Sequence, residues 1–330
     1  MGAAAQLLLG VLAVICSAWL FTNGLEWFGL RLGMGHRALG SIFAALGTAL
    51  PEAAIAVLAA LAPGRSAGAA LGDSVSIGAI LGAPLLLGTL GFAVLGIAAA
   101  RARRPALGVS AAALRRDLLF FMGTFGLAAL AGILAAPAWL RLILALALLL
   151  GYAAFVVATL TAPVPPRKAE RPRALVLSRR ASGPPSWLLI ALQLVLALAA
   201  MLGGAELFVR TLTGLAAELR LSGFILAALI APLATELPET ANSLVWIARG
   251  QDALATGNVT GALVLQGAVI PALGMLCTPW RFDQTEGLAA AVAIAGALLV
   301  CIAASWQRRV RPWPLLGAGA LYVAFVVWLL

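Results

Sequence analysis

Two five-residue stretches hold the groups most able to do chemistry: Thr48-Ala49-Leu50-Pro51-Glu52 and Thr235-Glu236-Leu237-Pro238-Glu239. Each lies inside a long apolar run. Proline lacks an N–H and clashes with the carbonyl four residues earlier. Pro51 therefore frees the carbonyl of Gly47, and Pro238 frees that of Ala234. The hydroxyls of Thr48 and Thr235 lie one residue further on. Glu52 and Glu239 follow four residues after the threonines, on the same helix face. Carbonyl, hydroxyl and carboxylate oxygens together are the ligand set of hard cations such as Na⁺ and Ca²⁺.

Energetics constrain these residues more tightly than geometry does. A charged side chain at the centre of a bilayer costs at least about 2.5–3.5 kcal/mol, so it marks a functional site by default. Three carboxylates gather in these stretches: Glu52, Glu236 and Glu239. The sequence places no lysine or arginine in the middle of an apolar span to neutralise them. They must pair with a bound cation or hold protons. Glu236 and Glu239 are one helical turn apart, so a shared proton is the alternative to a shared cation.

Downstream of each motif stands Gly-x-x-x-Gly-Ala: Gly78 to Ala83 in one half and Gly257 to Ala262 in the other, followed by Gly88 and Gly267. These glycines let helices approach closely. Asn258, Thr260 and Gln266 on the second of these spans can add oxygens to the site. Gly24-x-Glu26 and Gly204-x-Glu206 also match. The chain thus reads as a duplication.

The surroundings of these motifs define the solvent. The 330-residue chain is 63% hydrophobic and 10% charged, with mean hydropathy +1.06. Soluble domains carry about 25% charged residues, so lipid is part of the solvent here. In lipid only helices or closed barrels satisfy the backbone. The apolar runs are about 20 residues long, as helices require and barrel strands do not. The expectation is an all-α membrane protein of ten transmembrane helices, near 5–28, 38–62, 75–100, 117–135, 138–160, 186–210, 222–248, 255–278, 287–305 and 312–330. Residues 1–162 form a first five-helix repeat, 163–185 a basic linker, and 186–330 a second repeat.

Charge sets the orientation. With the linker in the cytoplasm, 17 of the 22 basic residues fall on that side, as the positive-inside rule requires. Both termini are then outside. Five spans per half is an odd number, so the second repeat is inverted. Paired, broken helices in inverted halves point to a transport site near the midplane. The net charge of +10 follows from topology, and no nucleic-acid partner is expected. Cys16, Cys277 and Cys301 lie within apolar spans and suggest neither a disulfide framework nor a metal cluster. The first span, from about Ala5, lacks a positive leader and reads as a permanent helix.

The paired motifs resemble the Gly-Thr-Ser-x-Pro-Glu and Gly-Asn-x-x-Gly-Ser-Asn-x-x-Asn signatures of the sodium/calcium exchanger (cation/calcium antiporter) superfamily, most nearly its divergent bacterial sodium:calcium antiporter members. The resemblance implies a ten-helix inverted-repeat fold, alternating access and Na⁺-driven Ca²⁺ extrusion in a bacterial inner membrane. It implies ion ligands at Thr48, Glu52, Thr235 and Glu239, with amides at Asn258 and Gln266. The family serine is replaced by Ala49 in one half and Glu236 in the other. The polar set of the first repeat has become Gly82-Ala83-Pro84-Leu85-Leu86-Leu87. One half has lost ligands while the other has gained a carboxylate.

The expected function is a secondary cation antiporter, Ca²⁺ against Na⁺, with H⁺-coupled exchange as the alternative. No cofactor is expected. The partners are inorganic cations and the bilayer, and nothing in the sequence sets the oligomeric state. An intramembrane hydrolase would need a nucleophile–base pair or metal-binding His/Cys beside the carboxylates. The sequence offers neither, since its one histidine, His36, falls in a short loop. A non-transporting scaffold would show no cation-dependent stability. Glu26 and Glu206 read as interfacial anchors or vestibule residues, and Asn242 and Ser243 as helix packing or an extended path. Trp27, Trp187, Trp280, Trp306 and Trp313 read as an interfacial belt.

Overall fold

In the computed structural model, residues 2–35, 38–45, 77–162, 173–178, 184–218, 229, 232–233, 236–307 and 310–329 are described. Nine helices account for most of them: α1 Ala3–Arg31, α2 Ile77–Arg101, α3 Ala111–Ile133, α4 Ala138–Leu160, α5 Trp187–Glu218, α6 Leu237–Ala248, α7 Asp252–Cys277, α8 Gln284–Gln307 and α9 Pro312–Leu329. All but α6 are long and apolar enough to cross a bilayer. The chain is an all-helical, multi-pass membrane protein. The expected spans at 38–62 and 222–248 lie largely outside the described residues. What is described of them is a π-helical turn, Leu39–Ala44, and α6.

Burial sorts the helices. In both α2 and α7, 83% of the apolar stretch is buried, against 28% in α1 and 22% in α4. α2 and α7 are central, whereas α1 and α4 turn leucines such as Leu8, Leu12, Leu146 and Leu150 outward. In lipid these outward faces need no polar cover, and association depends on close backbone packing. Glycine provides it. Gly10 of α1 meets the Gly204 carbonyl of α5, and Gly24 meets Leu194, so the two helices run antiparallel. Gly126 and Gly287 set α3 and α8 antiparallel through Ile294 and Ile133.

One end of the molecule gathers the arginine-bearing loops. Arg31 donates to the Pro185 carbonyl at 2.6 Å. Asp252 at the start of α7 accepts from Arg104 and from the Gly108 N–H, and the Leu107 N–H donates to the Val310 carbonyl at 2.8 Å. Part of the basic linker, 173–178, docks here. Its Arg173 carbonyl accepts from Asn23 and Trp27 of α1. Its Leu177 N–H donates to Gln193 of α5, and Leu175 is buried against Trp27 and Ile190. At the opposite end, Arg141 donates to the Thr278 carbonyl and the Phe282 N–H to the Gly132 carbonyl.

Two tryptophans depart from the expected belt. Trp280 is fully buried, with its indole N–H on the Ala128 carbonyl at 2.9 Å. Trp27 is covered by the linker segment just described. Trp187, Trp306 and Trp313 are exposed. A buried indole needs a partner for its N–H, and a backbone carbonyl supplies it for both Trp27 and Trp280.

Candidate functional site

The second Pro-Glu motif opens α6. Glu236 occupies the N-cap position, Pro238 lies in the first turn, where its missing N–H leaves no bond unmade, and Glu239 follows in the same turn. Both carboxylate-bearing residues are completely buried. Backbone bonds hold the motif in place: the Glu236 N–H donates to the Pro232 carbonyl at 2.9 Å, and its own carbonyl accepts from the Thr240 N–H at 3.0 Å.

Central helix α7 supplies the facing side. Gln266 donates through Nε2 to Glu236 Oε1 at 2.7 Å. Asn258, two turns earlier, donates through Nδ2 to the Glu239 carbonyl at 3.0 Å and to Ser243 Oγ at 3.1 Å. Ser243 in turn donates to the Ala255 carbonyl. Both Asn258 and Gln266 are buried. The Asn258 amide therefore does two things: its NH₂ stitches α7 to α6, while its Oδ1 is buried without a hydrogen-bond partner. The packing and ligand readings of this residue are compatible.

Gln266 is the fifteenth of the 26 residues of α7, so the Glu236 carboxylate sits about midway along a central helix. Residues 258 and 266 are separated by eight helical steps, roughly 80° around the axis, and share a face. Thr260 lies about 200° from Asn258 and faces away from α6. Its hydroxyl donates to Asp117 Oδ2 of α3 at 3.0 Å. Thr260 is thus placed apart from the Glu236–Gln266 group.

Asp117 is an addition that sequence reasoning missed. It is buried, paired with Arg116 at 3.2 Å, and Arg116 also donates to Thr159. The signal was a cap. Ser110 accepts the Ala113 N–H and starts α3 at Ala111, so Asp117 lies two turns inside a helix and not at its mouth.

Gly47, Thr48, Glu52, Ala234 and Thr235 lie outside the described residues. The approach to the first motif is described. Gly40, in the π-helical turn, lies so close to α7 that a Cβ there would be 2.6 Å from the Leu254 carbonyl oxygen. Gly261 faces the Ser41 carbonyl at similarly close range. The π-helical turn that precedes the first motif in the sequence thus packs against the helix that carries Asn258 and Gln266. Leu229, 187 residues beyond Ile42 as Glu239 is beyond Glu52, is also π-helical. Such π-bulges often mark functional segments.

Glu26 and Arg249 form an ion pair at 3.0 Å between α1 and the end of α6, largely shielded from solvent. Among the described residues, no group of three His, Cys, Asp or Glu side chains forms a metal cluster. Cys16, Cys277 and Cys301 are all free thiols.

Comparison with known proteins agrees with this architecture. The fold is that of the sodium-calcium exchanger NCX_Mj. In crystals soaked with 100 mM Na⁺ and 10 mM Sr²⁺ the TM-score is 0.74 at 23% identity, covering 98% of this chain and 97% of that one. Without Na⁺ and Ca²⁺ it is 0.71 at 23% identity, covering 99% of each. A protein of Alkalimonas amylolytica named for antiporter activity, CaxA, is 28% identical over 134 residues, which is 40% of this chain and 42% of the relative. The sodium/calcium exchanger protein family model matches residues 2–161 and 189–330. With nearly its whole length matched in two stretches, the chain belongs to this family of cation antiporters.

Proposed function

We propose that the protein exchanges Ca²⁺ for Na⁺ by alternating access at a carboxylate site near the bilayer midplane. The observation that carries this reading is the pairing of fully buried Glu236 with Gln266 about halfway along a central helix, with buried Glu239 and Asn258 joined about two turns away at the same α6–α7 junction. α7 is about 39 Å long at 1.5 Å per residue, against a hydrocarbon core of about 30 Å. A carboxylate at its midpoint, that of Glu236, is as far from water as the bilayer allows. Glu52 completes the clamp from the first half, with Thr48, Thr235 and the carbonyls of Gly47 and Ala234 filling the shell. Thr260, turned toward Asp117 of α3, is left out of the shell.

The reading includes ten crossings in two inverted halves. α1 ends at the arginine-rich end and α2 begins at the other, the placement that one further crossing in the first half would give. α5 runs away from the arginine-rich end and α6 runs toward it, the placement that one further crossing in the second half would give. Counterpart helices α1 and α5 are antiparallel, as are α3 and α8. The matching glycines make exchanged contacts: Gly88 of α2 on Ala293 of α8, and Gly267 of α7 on Phe121 of α3. Residues 1–162 and 186–330 are the two halves, joined by 163–185. The arginine-rich end faces the cytoplasm and both termini lie outside. Sliding of α1 and α5 past the remaining helices switches access.

Glu236 favours a second reading, H⁺ coupling, because a second buried carboxylate one turn from Glu239 can hold a proton. Reconstituted vesicles distinguish the two. An outward sodium gradient alone should drive Ca²⁺ uptake. Uptake driven only by a pH gradient would replace Na⁺ with H⁺, and no uptake under either gradient would overturn the antiporter reading.

A further inference from the structure

The α6 face that begins at Glu239 continues to the arginine-rich end. Residues 239, 242, 246 and 249 fall within a sector of about 80° and extend about 15 Å along the axis. Asn242, one turn beyond Glu239, is completely buried, and neither atom of its amide has a hydrogen-bond partner. Buried polar groups are nearly always satisfied, and exceptions call for a role. Leaving one unpaired costs about 1–3 kcal/mol. Helix packing alone would be served better by leucine.

Further along, the stripe meets α1. Arg249 pairs with Glu26, while its Nη2 is buried without a hydrogen bond and its guanidinium lies 5.8 Å from the Trp19 ring. Trp246 and Gln251 stand beside the same carboxylate. The Glu26–Arg249 ion pair is the charged link of this contact, and Arg249 is only partly satisfied. By contrast, Asn23 and Gln193 bind α1 to α5 through the linker backbone and to each other. α1 is thus fastened firmly to α5 and by one charged link to α6.

We infer that the α1–α6 seam is the cation route between the buried site and the arginine-rich end, with Asn242 as its first hydrated station and Glu26–Arg249 as its latch. The inference rests on the transport reading above. A cation arriving along the stripe competes with Arg249 for the Glu26 carboxylate. Displacement leaves the long arginine side chain free to turn to water and lets α1 part from α6. Passage and opening are thereby coupled. In the present conformation the latch is closed.

The test uses full-length protein with Cys16, Cys277 and Cys301 replaced by alanine. Asn242→Cys is treated with a membrane-impermeant quaternary-ammonium thiosulfonate from the arginine-rich side. Ala241→Cys, one position away and packed in the apolar core, is the buried control. Labelling at 242 should exceed that at 241 and rise several-fold when Arg249→Met is added. It should fall again when Glu26→Arg and Arg249→Glu restore the pair reversed. Cysteine at 242 as inert as cysteine at 241, or a rate indifferent to Arg249→Met, would overturn the inference. Labelling needs no transport, so failure of the exchange reading would appear separately, as wild-type vesicles that move no Ca²⁺.

Discussion

Vesicles containing Glu239→Gln should take up Ca²⁺ no faster than empty vesicles. The substitution keeps shape and volume and removes one negative charge. The fold should tolerate it, because Asn258 bonds to the Glu239 carbonyl and not to its carboxylate. What changes is the electrostatic balance. A divalent ion stripped of water needs formal negative charge around it, and affinity falls as charged ligands are removed. Leaving buried charge without its counter-charge costs about 3–5 kcal/mol, roughly a hundred- to four-thousand-fold in affinity at 1.4 kcal/mol per decade. Exchange at normal affinity in this variant would remove Glu239 from the site. Uptake measured across a range of Ca²⁺ concentrations checks the result.

Gly261→Ala should disrupt the site without touching a ligand. A methyl group at this position would overlap the Ser41 backbone. Backbone cannot rotate aside as a side-chain tip can, so α7 and the π-helical turn must separate by about 1 Å to restore contact distances. Overpacking of this kind costs about 1–3 kcal/mol. The displaced partners include the turn leading to Gly47 and Thr48 and the helix carrying Asn258. Thermal unfolding of purified protein should shift downward, and Ca²⁺ affinity should fall with it. By comparison, Gly203→Ala, where a Cβ meets nothing within 4 Å, should leave both unchanged.

Much of this architecture is legible in the residues themselves because lipid enforces simple rules. Apolar length gives the helices, and arginine placement brings together the loops that the structure joins through Arg31, Arg104 and Arg249. Duplicated Pro-Glu and glycine motifs pick out Glu236, Glu239, Asn258 and Gln266, and the structure joins them in two pairs, Glu236 with Gln266 and the Glu239 carbonyl with Asn258. Other features depend on tertiary context. Asp117 follows two arginines that look like a loop until Ser110 caps the helix. Thr260 has the composition of a ligand, but its position around α7 turns it toward α3. Trp280 sits near a span end yet is buried, because Ala128 offers a carbonyl to its indole. Asn242 looks like packing until its amide is found buried and unsatisfied. Docking of 173–178 on Asn23, Trp27 and Gln193 carries no local signature in a segment rich in arginine and proline.

The central claim is that buried carboxylates at the meeting of α6 and α7 hold the transported cation. Ligand that binds only the folded state raises its stability as RT ln(1 + [L]/Kd). Thermal unfolding in detergent, with Ca²⁺ titrated at constant ionic strength, reads this directly. The unfolding midpoint should climb with Ca²⁺ and fall back as Na⁺ replaces an inert cation, because the two ions share one site. A midpoint indifferent to Ca²⁺ and Na⁺ alike would contradict the account.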